Sequence, residues 1–146
     1  MKNEILDAVN PASQQIFEHV ESTPKSKLPK MVEKAAQAQK KWAALTYKER
    51  GIYLKKLKNL VIERAEEIAE TISKGMGKPL VESYLFGVNL VAEDLEEYSE
   101  KAGIYLADED VPTPEYLGEN KKALVRYTPR GVVAVIAPWN FPFGLA

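Results

Sequence analysis

From about residue 26 to residue 105 the apolar side chains recur in steps of three and four; beyond Lys122 they first alternate and then run together. The first rhythm gathers them on one face of a helix, and the second lines one side of a strand. Met31, Ala35, Ala38 and Trp42 predict a helix from about Ser26 to about Ala43. Pro29 falls in its first turn, where the N–H it lacks has no helical acceptor anyway. Thr46-Tyr47-Lys48-Glu49 has the form of a capping box. The stripe Tyr53, Leu57, Leu60, Val61, Ala65, Ile68, Ala69 and Ile72 then predicts a second, long helix with a local break near Arg64. Gly75-Met76-Gly77-Lys78-Pro79 stops it. A third helix is expected from about Leu80, with Tyr84, Val88, Val91, Leu95, Tyr98, Ala102 and Tyr105 on one face. Glu93, Asp94, Glu96, Glu97 and Glu100 fill its other faces and read as a solvated surface rather than a cation site.

Strands flank this helical block. Asn10-Pro11-Ala12-Ser13 is turn chemistry, and Ile16 to Val20 alternates weakly, so the start of the chain predicts a hairpin. Asp108 to Pro114 reads as a loop. Ala123, Val125 and Tyr127 then face one way, with Leu124, Arg126 and Thr128 facing the other, as in a half-exposed strand. Val132-Val133-Ala134-Val135-Ile136 is apolar without alternation and rich in β-branched residues. A strand of that kind is buried on both faces, as in a parallel sheet covered by helices. The expected class is mostly α: three main helices, an N-terminal hairpin and C-terminal strands.

Charge and composition narrow the chemistry. Twenty basic and 21 acidic residues give a net charge of -1, which argues against nucleic-acid and anionic-membrane partners. No apolar run reaches the roughly 18 residues of a membrane span, and Met1 to Asp7 does not read as a secretory signal, so a cytoplasmic location is expected. Cysteine is absent, which removes disulfides, thiolate metal sites and any cysteine nucleophile from these residues. The one histidine, His19, reads as a surface residue of the hairpin, and no metal site is expected. Gly75 to Lys78 lacks the spacing of a phosphate loop, and Pro79 stands where that loop needs Ser or Thr.

The end of the chain carries the most specific signal. Pro129-Arg130-Gly131, the apolar run Val132 to Ile136 and then Ala137-Pro138-Trp139-Asn140-Phe141-Pro142 together resemble the aldehyde dehydrogenase superfamily. Asn10-Pro11-Ala12, Trp42 with Glu49-Arg50, and Gly77-Lys78-Pro79 resemble earlier family segments in the same order. Ser13-Gln14-Gln15 departs from the family's usual Thr-Gly-Glu, and Lys74-Gly75-Met76 from its usual approach to Gly-Lys-Pro.

The resemblance implies an α/β, Rossmann-like parent that oxidises an aldehyde with NAD or NADP. Residues 1–146 would be the N-terminal part of its cofactor-binding domain, and about 121–130 an oligomerisation strand of a homo-oligomer. Asn140 matches the family's side-chain donor to the oxyanion. An alternative from the residues themselves is that Asn140 caps a helix beginning after it. Ile136, Ala137, Pro138 and Trp139 match the segment that lines the cofactor's ribose and nicotinamide. A family member runs several times this length, and the catalytic cysteine and the glutamate base are not among these residues. The chain therefore reads as a truncated portion, inactive alone and not expected to hold the cofactor tightly. The competing reading is a non-catalytic helical module that binds a partner chain.

Overall fold

The computed structural model describes residues 4–113 and 121–146. Met1 to Asn3 and Pro114, the last residue of the expected loop, lie outside them. The described chain is mostly helical. β1 (Ile5–Val9) and β2 (Ile16–Glu21) form an antiparallel hairpin, with Leu6 opposite Val20 and a register shift at Ala8/Val9. The Asn10 side chain accepts from the Ala12 and Ser13 amides and fixes the turn. Next come α1 (Leu28–Ala43), α2 (Tyr47–Glu63) and α3 (Ala65–Met76). A single turn, α4 (Leu80–Glu82), leads through a π-helical segment, Ser83–Asn89, into α5 (Leu90–Tyr105). β3 (Glu109–Val111) and β4 (Ala123–Val125) pair antiparallel.

The local signals explain these boundaries. The Thr46 hydroxyl accepts from the Glu49 amide at 3.2 Å, and the Glu49 carboxylate accepts from the Thr46 amide at 2.7 Å. Both orphan donors of the α2 start are thereby satisfied. The Thr46 amide, and the Thr46 hydroxyl that also donates to this carboxylate at 2.8 Å, hold the Glu49 carboxyl below its ordinary pKa. The break near Arg64 is real: its φ and ψ of -102° and 22° leave the helical region and separate α2 from α3.

The central contact is between α2 and α5. Tyr47 lies against Gly103, Gly51 against Ser99 and Lys58 against Glu96, so the two helices run antiparallel. A Cβ on Gly51 would sit 2.3 Å from the Ser99 carbonyl oxygen, so no larger residue fits there. Val61, Ala69 and Val88 form the buried cluster, with Ala65, Ile68, Tyr84, Ala92, Leu95 and Phe143 packed around it. Each buried valine contributes about 1.5–3 kcal/mol. Ser83, Gly87 and Val88 are all buried. The π turn explains this, since it brings residues four and five apart to one side. The periodicity alone did not show that widening.

The acidic run of α5 is a surface, but a paired one. Lys58 donates to Glu96 at 2.6 Å and Lys55 to Glu100 at 2.8 Å, both across from α2. Glu97 pairs with Lys101 and accepts from the Tyr105 hydroxyl. Among the described residues no group of His, Cys, Asp or Glu is placed to hold a metal ion.

Three expectations are corrected. The expected loop 108–114 contains β3, because Glu109 to Val111 finds a ladder partner in Val125 to Ala123. The expected strand through Thr128 ends at Val125; Arg126 and Tyr127 turn their side chains to Asp108 and Glu109 instead. The apolar run Val132 to Ile136 forms no strand, and Val133, Val135 and Ile136 are 68%, 62% and 94% exposed. A strand exists only where its N–H and C=O groups find partners, and no described strand pairs with this run to supply them.

The accessible surface is 12003 Å², against about 7,500 Å² for a compact monomer of this mass. Much apolar surface is therefore left uncovered, including Leu57 and Leu60 of the α2 stripe.

Two outcomes follow. Glu96 ionises below its ordinary range because Lys58 bonds its carboxylate. A depressed carboxyl pKa adds stability that is present above its unfolded value and lost as pH falls through the folded one. Acid titration should therefore destabilise the chain below about pH 4.5, and Glu96→Gln should flatten that dependence; an unchanged acid profile in the variant contradicts the pairing. In amide exchange, Val133 and Val135 should be unprotected while Val61 and Val88 are protected. Strong protection at Val133 would mean that this run has found a strand partner.

Candidate functional site

The site is built on the turn that follows the apolar run. Trp139 to Leu145 makes no helix; a single turn closes with the Leu145 amide donating to the Phe141 carbonyl at 3.2 Å. The helix that Asn140 was to cap is thus not formed in the described chain. Asn140 is exposed just before this turn, and its carboxamide makes no hydrogen bond to any described residue.

Its neighbours are held. Phe143 packs against the core cluster, and a Cβ on Gly144 would lie 3.7 Å from Val91 of α5. Phe141 lies under the Lys78 ammonium, 5.2 Å from its ring centroid. The turn is therefore held at Phe141 and Phe143, and Asn140 beside it is exposed. Of the proposed cofactor segment, Ile136 and Trp139 are 94% and 82% exposed, Pro138 is exposed and Ala137 is half-buried. The four residues stand together as one open apolar edge beside Asn140.

A cleft of about 770 Å³ opens beneath Trp139. Leu57, Leu60, Ile68, Ile72 and Met76 form its floor, with Phe17 of β2 and Phe143 at its ends. Arg64 and Glu67 stand at its rim, joined by two bonds of 2.8 and 2.6 Å. That pairing raises the pKa of Arg64 and lowers that of Glu67.

The turn after α3 borders this region. Gly77 adopts φ 69°, and its amide donates to the Ser73 carbonyl at 2.8 Å, which ends the helix. A Cβ there would lie 2.9 Å from Pro11 Cγ, so the N-terminal hairpin seats directly on this glycine. Gly75 to Lys78 is a helix-ending turn, as the missing phosphate-loop spacing implied. His19 is on the hairpin surface, 2.8 Å from Asp7 on the paired strand. The sequence marked Lys78 only as part of the Gly-Lys-Pro turn, and it did not mark Phe143 as a core residue. Phe143 falls three residues beyond Asn140, but nothing in its spacing showed that it reaches the core.

The chain matches the aldehyde dehydrogenase family over residues 1–146. It belongs to that family. Among solved structures it is similar to an aldehyde dehydrogenase from Brucella melitensis biovar abortus 2308, at 31% identity and a TM-score of 0.83, covering 97% of this chain and 28% of that one. It is also similar to a succinate-semialdehyde dehydrogenase from Burkholderia pseudomallei, at 30% identity and a TM-score of 0.81, again covering 97% and 28%. An indole-3-acetaldehyde dehydrogenase of P. syringae, solved with NAD+ and IAA, matches at 30% identity, a TM-score of 0.81 and the same coverage. The chain thus spans less than a third of the length of these relatives.

Gly77→Ala tests how the hairpin is seated. The left-handed conformation and the Pro11 contact together predict a loss of at least about 1–2 kcal/mol in urea unfolding. A loss within about 0.3 kcal/mol would mean that the hairpin is not docked on this turn.

Proposed function

We propose that this chain is the N-terminal portion of an NAD- or NADP-dependent aldehyde dehydrogenase that oxidises an aldehyde to a carboxylic acid, and that Asn140 donates to the oxyanion. Residues 1–146 belong in this reading to the cofactor-binding domain, with about 121–130, the segment that contains β4, as an oligomerisation segment of a cytoplasmic homo-oligomer. The observation that carries the proposal is the free carboxamide of Asn140 beside a turn anchored at Phe141 and Phe143. A neutral NH₂ stabilises an oxygen that becomes negative during attack, without forming an ion pair with the ground state. A rigid support is what makes such a donor effective, because it needs no reorganisation when charge develops.

Ile136, Ala137, Pro138 and Trp139 would hold the ribose and nicotinamide of the dinucleotide. Their apolar side chains, those of Ile136, Pro138 and Trp139 exposed, suit a flat ring. The backbone carbonyls of Ile136 and Ala137, in no strand ladder, are free to accept from ribose hydroxyls. Pro138 has no N–H to offer a ladder and ends the run at the site. These residues hold no phosphate cradle, since no G-x-G-x-x-G is present. When bound, the dinucleotide supplies the hydride acceptor. This chain's part is to orient the nicotinamide and to receive the carbonyl oxygen at Asn140. The nucleophile must come from residues other than these, because cysteine is absent.

The large uncovered surface supports the view that further polypeptide packs on this chain. It serves equally a second reading, a non-catalytic module covered by a partner chain. Asn140 separates the two.

In the full-length enzyme, Asn140→Ala should lower kcat by about 10²–10³ with KM little changed. Asn140→Asp should be no better, since a carboxylate cannot donate. The purified 146-residue chain should give no NAD+ or NADP+ reduction with aldehyde above a blank. A full-length Asn140→Ala enzyme of unchanged kcat removes the oxyanion assignment.

A further inference from the structure

We propose that Lys78 is a positioning residue for the turn that bears Asn140. Three segments far apart in sequence meet here: the Pro11-Ala12 turn, the Gly77-Lys78 turn and the Trp139 to Phe143 turn. Pro11 abuts Gly77, and Lys78 reaches Phe141. The backbone of Lys78 is itself fixed, because the Ser73 hydroxyl donates to its carbonyl at 2.7 Å. Gly77 just before it is left-handed and ends α3. Lys78 is half-buried, and among the described residues its ammonium meets no carboxylate. Its described partner is the Phe141 ring, whose face attracts a cation.

This contact acts one residue from the proposed oxyanion donor. Phe143 holds the far side of the turn against the core. Lys78 holds the near side. Without it, Phe141 keeps no charged anchor, and the bond from the Leu145 amide to the Phe141 carbonyl loses one of its supports. The placement of Lys78 on Phe141 does not depend on the oxyanion reading; its consequence for catalysis does.

The test uses Lys78→Met, which keeps the aliphatic stem, and Lys78→Arg, which keeps the cation. Amide exchange at Leu145 and the Phe141 ring resonances are read in this chain in dilute solution. In Lys78→Met, Leu145 exchange should rise about two- to fivefold and the ring resonances should shift. Lys78→Arg should restore both, and Val88 exchange in the core should not move. An unchanged Leu145 in Lys78→Met overturns the proposal. So does an arginine variant that behaves like the methionine one, a parallel rise at Val88, or a Leu145 already unprotected in the unmodified chain. In the full-length enzyme, kcat should fall in Lys78→Met at constant KM and recover in Lys78→Arg. If Leu145 responds there and kcat does not, the positioning stands and the oxyanion assignment of Asn140 is what fails.

Discussion

The backbone approach of α2 to α5 at Gly51 governs what the rest of the chain can do. With no side chain there, α2 comes close enough for a Cβ to overlap the Ser99 carbonyl. The two helices then lie antiparallel along their length, with Gly103 facing Tyr47 at one end and Val61 in the buried cluster toward the other. That axis fixes where α3, the π-helical segment and the C-terminal turn can pack. It also places lysines of α2 opposite glutamates of α5. Those pairs are partly exposed and contribute modestly, but they set the register of one helix against the other.

The core this axis supports is small. Val61, Ala69 and Val88 are buried, while much of the predicted apolar stripe of α2 looks into an open cleft. Leu57 and Leu60 belong to a helix face designed for contact, and within this chain they meet little. The same is true of Val133, Val135 and Ile136. Both surfaces adjoin the turn that carries Asn140, so the uncovered side of the molecule and the candidate site are one region. In a longer family member this is where further packing would close the site from water.

What anchors that region is local chemistry carried by distant residues. The glycine that ends α3 serves two constraints at once, a left-handed backbone and contact with Pro11. The lysine beside it reaches the aromatic next to Asn140. Phe143 ties the other side to the helical core. The family segments around Asn10, Gly77 and Asn140, separated along the chain, form one connected support.

The sequence by itself determined the helices and their ends, because capping, periodicity and glycine stops act within a few residues. Thr46 with Glu49, the break at Arg64 and the stop at Gly77 were legible for that reason. It also determined the family, through the residues around Asn140. Tertiary structure alone decided which stripe positions are buried, since burial depends on what lies opposite. Leu57 and Val61 look alike in sequence, and only Val61 is covered. The π turn, the β3–β4 pairing and the absence of a strand at Val132 to Ile136 were likewise settled by partners. The last case shows the physical reason most directly. A β-branched apolar run states a preference for a strand, but its backbone needs a neighbour to bond with, and no described strand pairs with it.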